Sequence, residues 1–274
     1  MKIGRLEIKK KTFMRLLLCF TAAVVIGGIY QGIRLVQNLR EFYAYQCLMT
    51  LPRHDINFEL VQSAFVRKPE WLVQRDRYGW NVMHWNSVWC RQKVVNMMLK
   101  NGADVNIRTR RGLTPLHLAT HLDYGEKSRK FIYFLIDNGA DVNIQDDKGW
   151  TPLHEALVEG NKIGVEALVS KGADVNMKNN KGDSSLHVSI RCSSSDVIQL
   201  LLETEQIQIN SRNNNGRTPL HFAALTGRKD VAEILLENGA KINIKDNSNL
   251  TPLQTASING NNEMVTFLSN CGGV

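Results

Sequence analysis

The chain has 274 residues, 22% of them charged, with a formal net charge of +8 and a pI near 9.3; that length buries a sizeable core in one or two domains. The charge is uneven: residues 1–53 carry nine Lys or Arg against Glu7 and Glu41, while the other 221 residues carry 25 basic and 24 acidic side chains, which excludes a basic nucleic-acid-binding face spread over the main domain. Five cysteines scattered at 19, 47, 90, 192 and 271, with no CxxC, exclude a disulfide framework and a Cys-ligated metal.

In chain order, a basic tail (1–15) leads into Leu16 to Ile33, eighteen uncharged residues closed by Arg34. As a helix this run spans about 27 Å against about 30 Å for a bilayer core, and Phe13 with Met14 lengthens it if Arg15 snorkels. Three readings stay open. A single-pass anchor puts Tyr30 and Arg34 at the far interface. A cleaved signal peptide has a cut near Gly27 and Gly28. The third is a buried helix of a soluble core. Six Lys or Arg precede the run and three follow it closely. That bias places the N-terminus in the cytoplasm and the rest across the membrane, a bacterial periplasm being expected, with secretion as the alternative. Residues 34–53 put Leu35, Leu39 and Phe42 on one helical side and read as a juxtamembrane stalk.

Residues 54–74 show helical spacing at Leu60, Val61, Ala64 and Phe65. From 75 onward a pattern recurs: GWNVMH (79–84), GLTPLH (112–117), GWTPLH (149–154), GDSSLH (182–187), GRTPLH (216–221) and NLTPLQ (249–254). A second landmark keeps step as NGADVN (101–106 and 138–143), KGADVN (171–176) and NGAKIN (238–243), with QIQIN (206–210) in the fourth unit. Self-similarity near 33 residues outranks any local reading of helix or strand. Thr of TPLH serves as a helix N-cap and Pro as its first residue. After a break near Gly227 a second helix carries Val231, Ile234 and Leu235 on one face, and Gly239 ends it in a left-handed cap. Asp104, Asp141 and Asp174 fall in the repeated GAD turns and read as turn residues.

GxTPLHxA followed by LLxxGADVN resembles the ankyrin repeat. The resemblance covers residues 75–274 in six units and implies an all-α solenoid of helix–turn–helix units with projecting β-hairpin loops, preceded here by the single hydrophobic helix. It makes 54–74 a degenerate capping unit that shields the first open face. Two departures stand out. About four extra residues near DYGEKSRK (123–130) imply a longer helix or a protruding loop. Ser185 in place of Pro, and TEQIQIN in place of the Gly-Ala cap, make the fourth unit the expected point of least regularity.

In this family the repeated histidine is structural, which assigns His84, His117, His154, His187 and His221 to the stack. His54 and His121 have no acid or cysteine arrangement beside them in sequence. With no P-loop, dinucleotide fingerprint, HExxH or GxSxG, no enzyme activity, cofactor, metal or small-molecule substrate is expected. The resemblance implies a protein partner bound on a concave face. Its post-Gly positions are Trp80, Leu113, Trp150, Asp183, Arg217 and Leu250; its late first-helix positions are Trp89, Leu122, Glu159, Cys192, Thr226 and Asn259. Trp89 and Trp150 are candidate anchors, since aromatic side chains are enriched at binding hot spots. Packing beside the next hairpin explains them equally well. Trp85 is expected to pack between helices, and the hairpin tips read as solvated loops.

Overall fold

The structure, a computed structural model, describes residues 70, 73–76, 78–204 and 206–274. The basic tail, the apolar run 16–33, the stalk 34–53 and nearly all of the capping unit 54–74 lie outside the described residues. Among the described residues no helix is long and apolar enough to cross a membrane.

Twelve described helices form six pairs: α1 Val82–Val88 and α2 Gln92–Lys100; α3 Pro115–Ala119 and α4 Glu126–Asp137; α5 Pro152–Val158 and α6 Lys162–Ser170; α7 Ser185–Cys192 and α8 Ser195–Leu202; α9 Pro219–Thr226 and α10 Lys229–Glu237; α11 Pro252–Ile258 and α12 Asn262–Asn270. Each first helix starts where the repeat places a short polar side chain. Asn81, Thr114, Thr151, Ser184, Thr218 and Thr251 are N-caps in extended conformation, each in a reciprocal capping box with the residue three positions on. The cap satisfies donors that a helix start leaves free, and Pro at the next position has no donor to satisfy. Gly227 ends α9 at φ 70, a left-handed conformation that glycine adopts without a Cβ penalty.

First helices pack in one row, α1 on α3, α3 on α5, α5 on α7, α7 on α9 and α9 on α11. Second helices form another, with α4 on α6, α6 on α8, α8 on α10 and α10 on α12. Between the rows lie fully buried side chains such as Leu186, Ile190, Leu220, Val231, Leu235 and Leu268. Each buried Leu or Ile of this kind contributes about 1.5–3 kcal/mol, and no unit could bury its own apolar stripe alone.

Three departures are resolved. The extra residues of the second unit lengthen both the connector and the second helix: 120–125 separate α3 from α4 where 159–161 separate α5 from α6, and α4 has 12 residues where α2, α6, α10 and α12 have nine. The fourth unit is more regular than its sequence implies, because Ser184 keeps its capping box and both helices persist. The projecting hairpins are tight turns, with an isolated bridge at Lys178 and Ser184 as the only β-pairing among the described residues.

Candidate functional site

The repeated histidines tie each unit to the next. In His84, His117, His154, His187 and His221, Nδ1 accepts the backbone N–H of the N-cap residue at 3.1–3.2 Å. With Nδ1 held as an acceptor, the tautomer follows: Nε2 carries the proton. That proton is donated to a carbonyl of the following unit, His117 to Trp150, His187 to Arg217 and His221 to Leu250, each at 3.0 Å. His84 bonds the Ile107 carbonyl at 3.1 Å and also faces that of Leu113 in the following unit. His154 faces the Asp183 carbonyl, with its Nε2 outside normal hydrogen-bond geometry. Burial lowers all five and brings His84, His117 and His154 to about 4. A second ring proton would also face a backbone N–H across the N-cap, so these imidazoles are neutral structural donors.

The hairpin edge is held by a second repeated device. The side chains of Asp76, Thr109, Asp146, Asn179, Asn213 and Asp246 each accept two N–H groups of their own loop, two and four residues on. The tips are not merely solvated. Asp147, Asn180, Asn214 and Asn247 donate their N–H to the tip of the preceding unit. The Asn180, Asn214 and Asn247 amides bond Asp147, Asn180 and Asn214 carbonyls in succession at 2.9–3.0 Å. This close approach explains the loop glycine. At Gly149, φ is +75 and a Cβ would stand 2.7 Å from Asn180 N. In the sixth unit Asn249 takes the left-handed position at φ 65, and Gln254 replaces the histidine while keeping the capping box.

The Asn that ends the second repeated landmark is a clamp in four units, and Asn143 keeps its acceptor half, taking the Asp174 N–H at 2.8 Å. Asn106 donates to the Gly139 carbonyl at 3.0 Å and accepts from Asp141 N at 2.9 Å. Asn176 does the same with Gln206 O and Gln208 N, so a Gln carbonyl replaces the missing Gly in the fourth unit. Asn210 and Asn243 repeat the pattern on Gly239 with Lys241 and on Gly272 with Val274. The GAD carboxylates Asp104, Asp141 and Asp174 accept the N–H two residues on, as turn residues do.

The two candidate partner rows differ. In the post-Gly row the backbone carbonyls of Trp150, Arg217 and Leu250 are occupied by histidines, and the side chains are half-buried. The Trp80 ring packs tilted against Trp85, centroids 4.7 Å apart, and lies 6.2 Å from His84; Trp150 lies 5.9 Å from His154. Leu113 is half-buried and Asp183 is buried, accepting Asn213 Nδ2 at 2.7 Å. Arg217 Nε pairs with Asp246 at 3.3 Å. Burial pushes the Asp246 carboxyl up, but bonds from Leu250 N–H, Arg217 and Ser248 N–H outweigh it and hold it below the usual range. The late first-helix row is more open: Leu122 is 39% exposed, and Glu159, Cys192, Thr226 and Asn259 are exposed, with Trp89 half-buried.

His121, which has no acid beside it in sequence, meets two from the next unit. Its Nδ1 lies 3.3 Å from Glu159 Oε1, and ligand atoms of His121, Glu155 and Glu159 all lie within 4.8 Å of one another. Burial raises the Glu155 carboxyl, with His121 opposing and Asp146 and Glu159 reinforcing the rise.

A family model described as Ankyrin repeats (3 copies) matches residues 90–179, 116–213, 164–246 and 207–274. No curated protein matches the chain. Among solved structures it is similar to "Crystal structure of the ankyrin repeat domain of Bcl-3: a unique member of the IkappaB protein family", at 23% identity and a TM-score of 0.68, over 84% of this chain and 97% of that one. At that identity the likeness concerns the fold alone.

Proposed function

This chain belongs to the ankyrin-repeat family, and from that premise we propose that it is a non-enzymatic scaffold whose solenoid holds a protein partner. The observation that carries this reading is the division of labour in the post-Gly row. Backbone carbonyls of Trp150, Arg217 and Leu250 join units, and a carbonyl makes that bond whatever side chain its residue carries. Beside them runs the open row Leu122, Glu159, Cys192, Thr226 and Asn259. Two aligned rows of unlike side chains on a rigid frame are what a partner-specific surface requires. The near balance of charge over 54–274 favours a protein over a nucleic acid.

Trp89 and Trp150 are the proposed anchors, with Leu113, Leu122, Glu159 and Arg217 around them and Trp80 contributing less. Crosslinked capture of the partner by the full chain, compared with Trp89→Ala and Trp150→Ala, tests this. Recovery is expected to fall by about fivefold or more, the change that 1 kcal/mol produces. Unchanged recovery in both folded variants would sink the assignment.

The scaffold is proposed to be tethered by residues 16–33 with the repeats on the far side of the membrane from the basic tail. Support comes from eighteen uncharged residues between Arg15 and Arg34 and from six basic residues before them. The second reading, a signal-processed soluble factor, rests on Gly27 and Gly28 at the end of the apolar run. Carbonate extraction combined with N-terminal sequencing decides: a soluble product starting near Gly28 replaces the tether with secretion.

A further inference from the structure

We propose that His121, Glu155 and Glu159 form a transition-metal site of the zinc class, bridging the second and third units. The geometry comes from two neighbouring first helices. His121 follows the C-cap of α3, where its N–H bonds the Leu118 carbonyl at 3.3 Å. Glu155 and Glu159 are four residues apart on and just beyond α5, which places them on one face. Their ligand atoms and those of His121 lie within 4.8 Å of one another. The gap between such atoms around a zinc ion is smaller, since Zn–N and Zn–O distances are about 2.0–2.2 Å. Two glutamates, each with three rotatable bonds, close that difference by side-chain rotation.

An independent observation concerns Glu155. Its place in the repeat, just after the histidine slot, holds Trp85, Leu118, Val188 and Phe222 in units one, two, four and five. Leu118, Val188 and Phe222 are buried there. Only the third unit puts a carboxylate among the apolar side chains of this row, next to a second carboxylate. Glu155 is half-buried, and its carboxylate accepts no hydrogen bond among the described residues. A desolvated carboxylate without such a partner, beside a like charge, is unfavourable by itself. A divalent cation offsets both terms.

The donor set selects the ion. Calcium and magnesium take oxygen ligands only, whereas an imidazole nitrogen with two carboxylates suits zinc, cobalt or manganese. Glu159 is exposed, so a fourth ligand position opens to solvent for water or a donor from outside. Nearby Asp146 adds to the negative field and Lys148 opposes it. The competing account is a side-chain contact between His121 and Glu159 alone, with no ion. The site stands whether or not a partner occupies the adjacent surface.

The test uses the full-length chain, stripped with EDTA and titrated with Co2+ and then with Zn2+. Visible ligand-field absorption is expected to rise to one equivalent of Co2+ and to be bleached by Zn2+. His121→Ala, Glu155→Gln and Glu159→Gln should each weaken binding by at least about tenfold, a loss seen even for groups that only support a ligand. Glu155→Leu restores the apolar character of the row; it should keep the helical circular dichroism and lose the cobalt spectrum. Cys192→Ser with Cys271→Ser, and His54→Ala, should leave the titration unchanged. No cobalt spectrum from the parent chain at millimolar Co2+, or a titration unaltered by the three ligand variants, would overturn the site in favour of the side-chain contact alone.

Discussion

Two edges of the stack solve the same problem, joining one unit to the next, with different chemistry. At the hairpin edge Asn106, Asn176, Asn210 and Asn243 each donate to one backbone carbonyl and accept one N–H of the following unit. At the inter-helix turns Lys127, Asn161, Ser193, Arg228 and Asn261 reach back to carbonyls of Trp89, Thr120, Leu157, Ile190 with Ser193, and Ala224 with Leu225. Four residue types make that second set of bonds. The first edge needs a donor and an acceptor at fixed separation, which one flat amide on a short stem supplies. The second needs only a donor pointed at carbonyls that a helix end leaves free, and an ammonium, amide, hydroxyl or guanidinium all serve. A strict geometric demand therefore leaves a repeated letter in the sequence, and a loose one does not.

Acid is expected to break the hairpin side most severely. His84, His117 and His154 stand at about 4 in the folded chain against an ordinary 6.5. Below 6.5 the unfolded chain binds more protons, so their contribution is complete above that pH and is lost as pH falls from 6.5 toward 4. The loss is about 1.4 kcal/mol for each pH unit and each group across that window. Urea midpoints measured from pH 7 to pH 4 should fall steadily. His154→Gln, which introduces the residue that Gln254 already supplies at this place in the sixth unit, should flatten the lower part of the curve. A midpoint independent of pH over this range would contradict the neutral-histidine ladder.

A smaller effect separates strain from contact. Gly149 and Gly139 both have positive φ, +75 and +90, but only Gly149 has the next hairpin against it; a Cβ at Gly139 meets nothing within 4 Å. Gly139→Ala should cost about 1–2 kcal/mol, the left-handed penalty alone, and Gly149→Ala more, as the Asn180 backbone must shift. Equal losses in chemical denaturation would mean that the hairpins do not approach as closely as described.

The smallest effect tests the edges against each other. Asn176→Ser should lose both bonds, since the hydroxyl is too short to span them, at about 1–2 kcal/mol. Asn261→Ser replaces one donor with the kind that Ser193 already supplies in the fourth unit and should cost less than about 1 kcal/mol. If the two variants lose the same stability, the distinction between strict and permissive edges fails.

Much of this was legible beforehand, for physical reasons. Thr at the cap, Pro after it, Gly in the loop and His at the end of TPLH each meet a backbone requirement that recurs every unit, so period and fold class are written in the letters. The long α4 was also foreseeable, since added residues between two helices must extend one or bulge. Regularity of the fourth unit was not, because a backbone carbonyl at Gln206 can replace that of a glycine, and backbone carbonyls carry no residue identity. The candidate partner rows could be listed from the repeat register, but not that Trp80 and Trp150 lean on their own histidines while Leu122 and Glu159 stay open.

The sequence by itself determined the repeat, its caps and the separation of a basic, apolar N-terminal stretch from a nearly neutral solenoid, because these depend on local backbone chemistry and on counting charge. Tertiary structure alone decided which donors close the inter-helix turns and that His121 meets Glu155 and Glu159. Those groups lie a full repeat apart along the chain. Only stacking, driven by apolar stripes that no single unit can bury, brings them within bonding distance.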